Sequence, residues 1–167
     1  AGGDVKINYT DENSGEVTTC RSAGTIVFST SGSIGGVVNT NNAGGIVDGC
    51  SLNVTLRGGA GSVGGIVAVV NGGAVRNCYA NGEPTISGTP VGGSLNHALY
   101  AGGIVGGLHG GAVYNCYNRC MVSGATNSGS MLGRIDNGAI IENCWSDRPS
   151  HFLVEVSDRG DQGEIGP

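Results

Sequence analysis

The stretch AGGIVGGLHGGAVYNCY, residues 101–117, decides the fold, because VGGIVAVVNGGAVRNCY, residues 63–79, repeats it almost position for position. Weaker copies flank the pair. GSIGGVV (32–38) leads to GGIVDGC (44–50), GSMLGRI (129–135) leads to NGAIIENCW (137–145), and the second half of the unit opens the series as GEVTTC (15–20). Cysteine therefore recurs at Cys20, Cys50, Cys78, Cys116 and Cys144, at intervals of 30, 28, 38 and 28 residues. The long interval holds an insertion, roughly Glu83 to Asn96, rich in Pro, Gly and Ser, which reads as a loop leaving the repeat surface. Each unit carries short apolar runs bounded by Gly, Asn and Ser, the mark of short strands.

Composition agrees with this pattern. Of 167 residues 34 are Gly, and a helix loses roughly 1 kcal/mol at each interior Gly. A hydrophobic share of 38% is too high for a disordered chain. The fold expected is all-β: a right-handed parallel β-helix, or solenoid, of about five coils with a capping strand at each end. Coils stacked about 4.8 Å apart bury a core that no single coil can bury. Stacking turns sequence alignment into columns. Ile66 and Ile104, and Val67 and Val105, form aliphatic ladders. Cys20, Cys50, Cys78, Cys116 and Cys144 form a thiol ladder. Asn77, Asn115 and Asn143 form an amide ladder at a corner, bonded along the axis as in cross-β stacks. The paired glycines supply corners with positive φ and close approach between coils.

The unit G-G-I-V-G-x-x-x-G-G-x-V-x-N-C-Y, clearest at Gly102 to Tyr117 and Gly64 to Tyr79, resembles the GLUG repeat of large bacterial surface proteins, among them adhesins and the non-catalytic part of IgA-specific metallopeptidases. The resemblance spans about residues 15–148. It departs from the pattern at Asp48-Gly49 and at Leu132-Gly133-Arg134. It implies an extracellular or cell-surface bacterial protein built on a repeat scaffold, without catalytic activity.

The ends read differently. Val5 to Thr10 and His151 to Val156 alternate and are expected to cap the solenoid, which then occupies residues 1–156. Either strand could instead pair with a neighbouring subunit. The start at Ala1, without Met, reads as a processed segment. In the tail, 157–167, Gly160, Gly163 and Gly166 fall on every third position, as at the start of a collagen-like region.

Chemistry-bearing residues are sparse. The net charge of −5, with a single lysine, shows no basic face for nucleic acid, and no apolar run approaches the length of a membrane span. The cysteines read as a column of buried thiols; disulfides between coils and metal binding remain the other readings. His97, His109 and His151 read as solvated and belong to no H-E-x-x-H. Alignment places Asp48, Arg76, Tyr114 and Glu142 at one position, with Thr18 in the first unit, so no two acids stack as a glycosidase pair. No cofactor is expected. Tyr79, Tyr117 and Trp145 each follow a ladder cysteine and so point outward, as cover for a loop or cap, as a subunit contact, or as a surface for sugar rings. The function expected is that of a structural subunit of an extracellular filament or an adhesin head, self-associating as a trimer or filament, with a host or glycan surface as ligand. The alternative is a carbohydrate-binding or polysaccharide-cleaving β-helix.

Overall fold

The computed structural model describes residues 10–27, 32–57, 61–81, 85–87, 99–123, 125–136 and 138–147. The described chain winds through four sides per turn. The first turn holds β1 (Thr10–Asn13), β2 (Glu16–Thr18), β3 (Arg21–Val27) and β4 (Ile34–Gly35). The second holds β5 (Val38–Asn42), β6 (Ile46–Asp48), β7 (Ser51–Arg57) and β8 (Ser62–Gly64). In the third, β9 (Val67–Asn71) and β10 (Ala74–Arg76) are followed by a third side in two pieces, β11 (Tyr79–Ala80) and β12 (Thr85–Ser87), and by β13 (Tyr100–Gly102). The fourth repeats this plan with β14 (Val105–Leu108), β15 (Ala112–Tyr114), β16 (Tyr117–Asn118), β17 (Met121–Ser123) and β18 (Asn127–Gly129). The last turn is β19 (Leu132–Ile135), β20 (Ile140–Glu142) and β21 (Trp145–Ser146). No helix occurs among the described residues.

Equivalent strands pair in parallel, so each side is a sheet running along the axis. Side one runs β1-β5-β9-β14-β19 and side two β2-β6-β10-β15-β20. Side three joins β3, β7, β11 with β12, β16 with β17, and β21; side four is β4-β8-β13-β18. The molecule is thus an all-β parallel solenoid. Three turns, β5–β8, β9–β13 and β14–β18, lie between other turns, although in the last of them β17 and β18 have a neighbour on one face only among the described residues. The expected count of about five includes the two end turns, each of which has a neighbour on one face only among the described residues.

The register follows the repeat alignment. Val38, Val67, Val105 and Leu132 share one column, and Val17, Val47, Val75, Val113 and Ile141 another. On side two only the middle residue of each three-residue strand points inward, because strand side chains alternate. Val37, Ile66, Ile104 and Met131 fill the corner between sides four and one, all at 1% exposure or less. Full burial of such a side chain contributes about 1.5–3 kcal/mol. Glycine is required at that corner by space. A Cβ on Gly35, Gly64 or Gly102 would collide with the carbonyl oxygen of Val38, Val67 or Val105. At the next corner the first glycine of each pair serves torsion, Gly44 and Gly72 having φ of 81° and 91°, while a Cβ on the second, Gly45 or Gly73, would collide with the Asn41 side chain.

Part of the expected insertion loop belongs to the stack. β12, Thr85–Ser87, pairs with β7 and β17 on side three. Tyr79 pairs with Ser51 but Ile86 with Leu56, so the third turn uses two more residues than the second between these points. The rest of the insertion, His97, the segment 5–9, the 151–156 strand with His151, and the 157–167 tail lie outside the described residues.

Candidate functional site

The corner between sides two and three gathers all three sequence-derived columns. It begins with the residue before each ladder cysteine. Thr19, Asn77, Asn115 and Asn143 have φ of 54°, 53°, 54° and 49°, and Gly49 has 62°. The corner is therefore one left-handed residue per turn, a conformation that costs most L-residues roughly 1–2 kcal/mol and that Asn tolerates best. Its backbone N–H donates to the next turn: Gly49 to the Arg76 carbonyl at 3.1 Å and Asn77 to the Tyr114 carbonyl at 3.2 Å. The side chains are exposed. Asn77 donates to Asp48 Oδ1 at 2.8 Å, and Asn115 to Asn77 Oδ1 at 3.4 Å. Asn77 and Asn115 thus meet along the axis, but backbone conformation is the stronger reason for Asn here.

The turn then directs each cysteine inward. Cys50, Cys78 and Cys116 are buried; Cys20 and Cys144, at the two ends, are half-buried. All are free thiols, as is buried Cys120. The Sγ of Cys50, Cys78, Cys116 and Cys144 each donates to the carbonyl two residues earlier, at 3.1–3.4 Å, and lies 3.6–3.9 Å from a carbonyl of the preceding turn. Successive thiols also perturb one another's titration. Hydrogen bonding to Cys78, then burial, pushes Cys50 up; bonding to Cys144 and then Cys78 pushes Cys116 up. Cys78 and Cys144 receive such bonds and are held down, by Cys116 first in each case.

The next residue points out again. Arg21, Ser51, Tyr79, Tyr117 and Trp145 form one outward column. Trp145 is 63% exposed and Tyr79 44%. The Tyr117 and Trp145 rings lie 4.5 Å apart, tilted by 34°. Arg119 and Asp147 form an ion pair of 2.8 Å beside them. Burial and then a hydrogen bond to Asp147 raise the Tyr117 hydroxyl.

On side two the aligned column is Thr18, Asp48, Arg76, Tyr114 and Glu142, in register. Arg76 Nε donates to Asp48 Oδ2 at 2.7 Å and its Nη1 to the Tyr114 hydroxyl at 3.2 Å. Hydrogen bonds from Asn77 and then Arg76 hold Asp48 below the usual carboxylate range.

Sequence reasoning missed two features. The first is a buried amide pair at the corner between sides one and two. Asn13 Nδ2 donates to Asn41 Oδ1 at 2.9 Å, and Asn41 Nδ2 to the Gly45 and Ala74 carbonyls at 3.3 and 3.1 Å. The column continues as Val70, Leu108 and Ile135. The signal was an Asn shortly before Gly in both N-terminal turns, Asn13 with Gly15 and Asn41 with Gly44 and Gly45. Asn118 is similarly buried; it accepts from the Cys120 N–H and donates to the Ser130 carbonyl, closing the break between β16 and β17. The second feature is a polar cluster on side one. His109 is exposed, as expected, but its Nδ1 lies 2.6 Å from Asp136 Oδ2. Arg134 Nε donates to Asp136 Oδ1 at 2.5 Å, and its Nη1 to the Tyr100 hydroxyl at 2.6 Å.

Among the described residues no three His, Cys, Asp or Glu side chains converge on a metal-sized site. The groove at the corner between sides one and two is shallow, about 310 Å³, and lined by Gly, Ala and one Ile, without titratable groups. No protein-family model, no curated protein and no solved structure matches the chain.

Proposed function

We propose that this chain is a non-enzymatic, secreted bacterial surface module, the structural subunit of an extracellular filament or adhesin head. The observation that supports this reading is the way polar side chains pair along the axis. Asp48 with Arg76 and Tyr114, and His109 with Asp136, bind each other between turns instead of converging on a cleft. Asp48 and Glu142 stand three turns apart, about 14 Å at the strand spacing, whereas a glycosidase pair needs roughly 5–9.5 Å. The GLUG-like unit supports the extracellular bacterial setting. Light scattering at micromolar concentration tests the reading: species well above the 16.6 kDa chain are expected, and a clean monomer overturns the filament form.

Carbohydrate binding is the second reading, favoured by the outward column of Tyr79, Tyr117 and Trp145 beside Arg119 and Asp147. Trp145 is the only tryptophan, so intrinsic Trp fluorescence reports on this column alone. A saturable change on titration with oligosaccharides carries that reading; a flat titration removes it.

A further inference from the structure

The two ends of the stack match each other. Among the described residues β1, β2 and β3 pair only with the second turn, and β19, β20 and β21 only with the fourth. Among the described residues no strand therefore lies beside the outer edges of β1, β2, β19 and β20, and such edges template another strand. We propose that copies of this chain stack head to tail, the last turn of one against the first turn of the next, through the edges of sides one, two and three. The proposal rests on the filament reading and names its joint.

Charge, ring and thiol complementarity select a second copy as the occupant. Extending the observed register by one turn brings each end residue over its own column. Glu12 and Arg134 share a column through Thr40, Val69 and Gly107, so the joint sets a carboxylate against a guanidinium. Arg21 and Trp145 share another, which places exposed Arg21 over the exposed indole, a cation–π arrangement. Among the described residues no column of sides one to three puts two like charges together across the joint. Cys20 and Cys144 are the half-open ends of a column that is otherwise buried, and the joint would continue it. Because the first and last turns are different surfaces, the contact is heterologous; by translation and twist it propagates rather than closes.

Oxidative cross-linking of the 167-residue chain with copper–phenanthroline and oxygen tests this joint. Stacked cysteines lie within bridging distance, and each bridge releases two protons and passes two electrons to the oxidant. The wild type should give a reducible ladder of covalent oligomers. Cys20→Ser and Cys144→Ser should each give none alone, and their mixture should give dimers and nothing longer. Covalent dimers from either variant alone would mean a symmetric contact and overturn the proposal. Large species in light scattering without any Cys20–Cys144 bridge also overturn it, while leaving the filament reading intact. Absence of large species removes both. A second set of variants avoids the thiols. Glu12→Arg should raise the concentration needed for assembly by up to about fivefold, and Glu12→Arg with Arg134→Glu should restore it. No effect of the first, or no rescue by the second, counts against the joint.

Discussion

At residue scale the decisive position is the one before each ladder cysteine. Five turns place a residue there with φ of 49–62°, and in three of them it is Asn. Thr19 is the misfit, since a β-branched side chain is strained in the left-handed region. Thr19→Asn should therefore stabilise the chain by about 1 kcal/mol in urea denaturation, and Asn115→Val should destabilise it by about 1–2 kcal/mol. Gly102 answers to a different constraint. The Val105 carbonyl occupies the space a Cβ would need, so Gly102→Ala should cost at least about 3 kcal/mol in the same measurement. The repeat showed that these positions matter. It did not show that one set depends on torsion and the other on space, because both appear in sequence as small or turn-forming residues.

At the scale of the elements, each column behaves as a unit. Ile104 lies between Ile66 and Met131 in a fully buried corner, and Ile104→Ala should cost about 2–5 kcal/mol. The thiol column has a graded reactivity. Hydrogen bonding holds Cys144 down and it is half-buried, whereas Cys50 and Cys116 are pushed up and sealed. Iodoacetamide under native conditions should modify Cys144 before Cys50, Cys78 or Cys116, as peptide mass mapping would show. On side one, burial alone would raise the Asp136 carboxyl, but hydrogen bonds from His109 and then Arg134 outweigh it and hold it below the usual range. A lowered folded value means stability present above the unfolded pKa, near 3.9, and lost as pH falls through the folded one. Asp136→Asn should lower the melting temperature at pH 7, and the difference should shrink progressively below about pH 4.

For the whole molecule, the solenoid makes stability local along the axis. Among the described residues each turn pairs its strands only with those of its neighbours, as in other stacked-repeat folds. Substitutions in the first and last turns should then add independently. Val17→Ala and Ile141→Ala should sum within about 0.5 kcal/mol, while the stacked pair Val75→Ala and Val113→Ala should deviate from additivity by more than that. The same one-dimensional order leaves two end faces that differ from each other, which is the condition for growth along the axis.

The sequence by itself determined the period, the parallel stacking and the membership of the columns, from Cys50, Cys78 and Cys116 inside to Asp48, Arg76, Tyr114 and Glu142 outside. A fixed repeat length converts alignment into register, so those residues needed no coordinates to be grouped. Only the tertiary structure decided that Thr85–Ser87 enters side three, that Asn13 and Asn41 bury their amides together, and that His109 meets Asp136. These depend on where the chain bends between sides and which atoms then face each other. Bends placed by single left-handed residues, and partners outside the repeated motif, leave no periodic trace in the sequence.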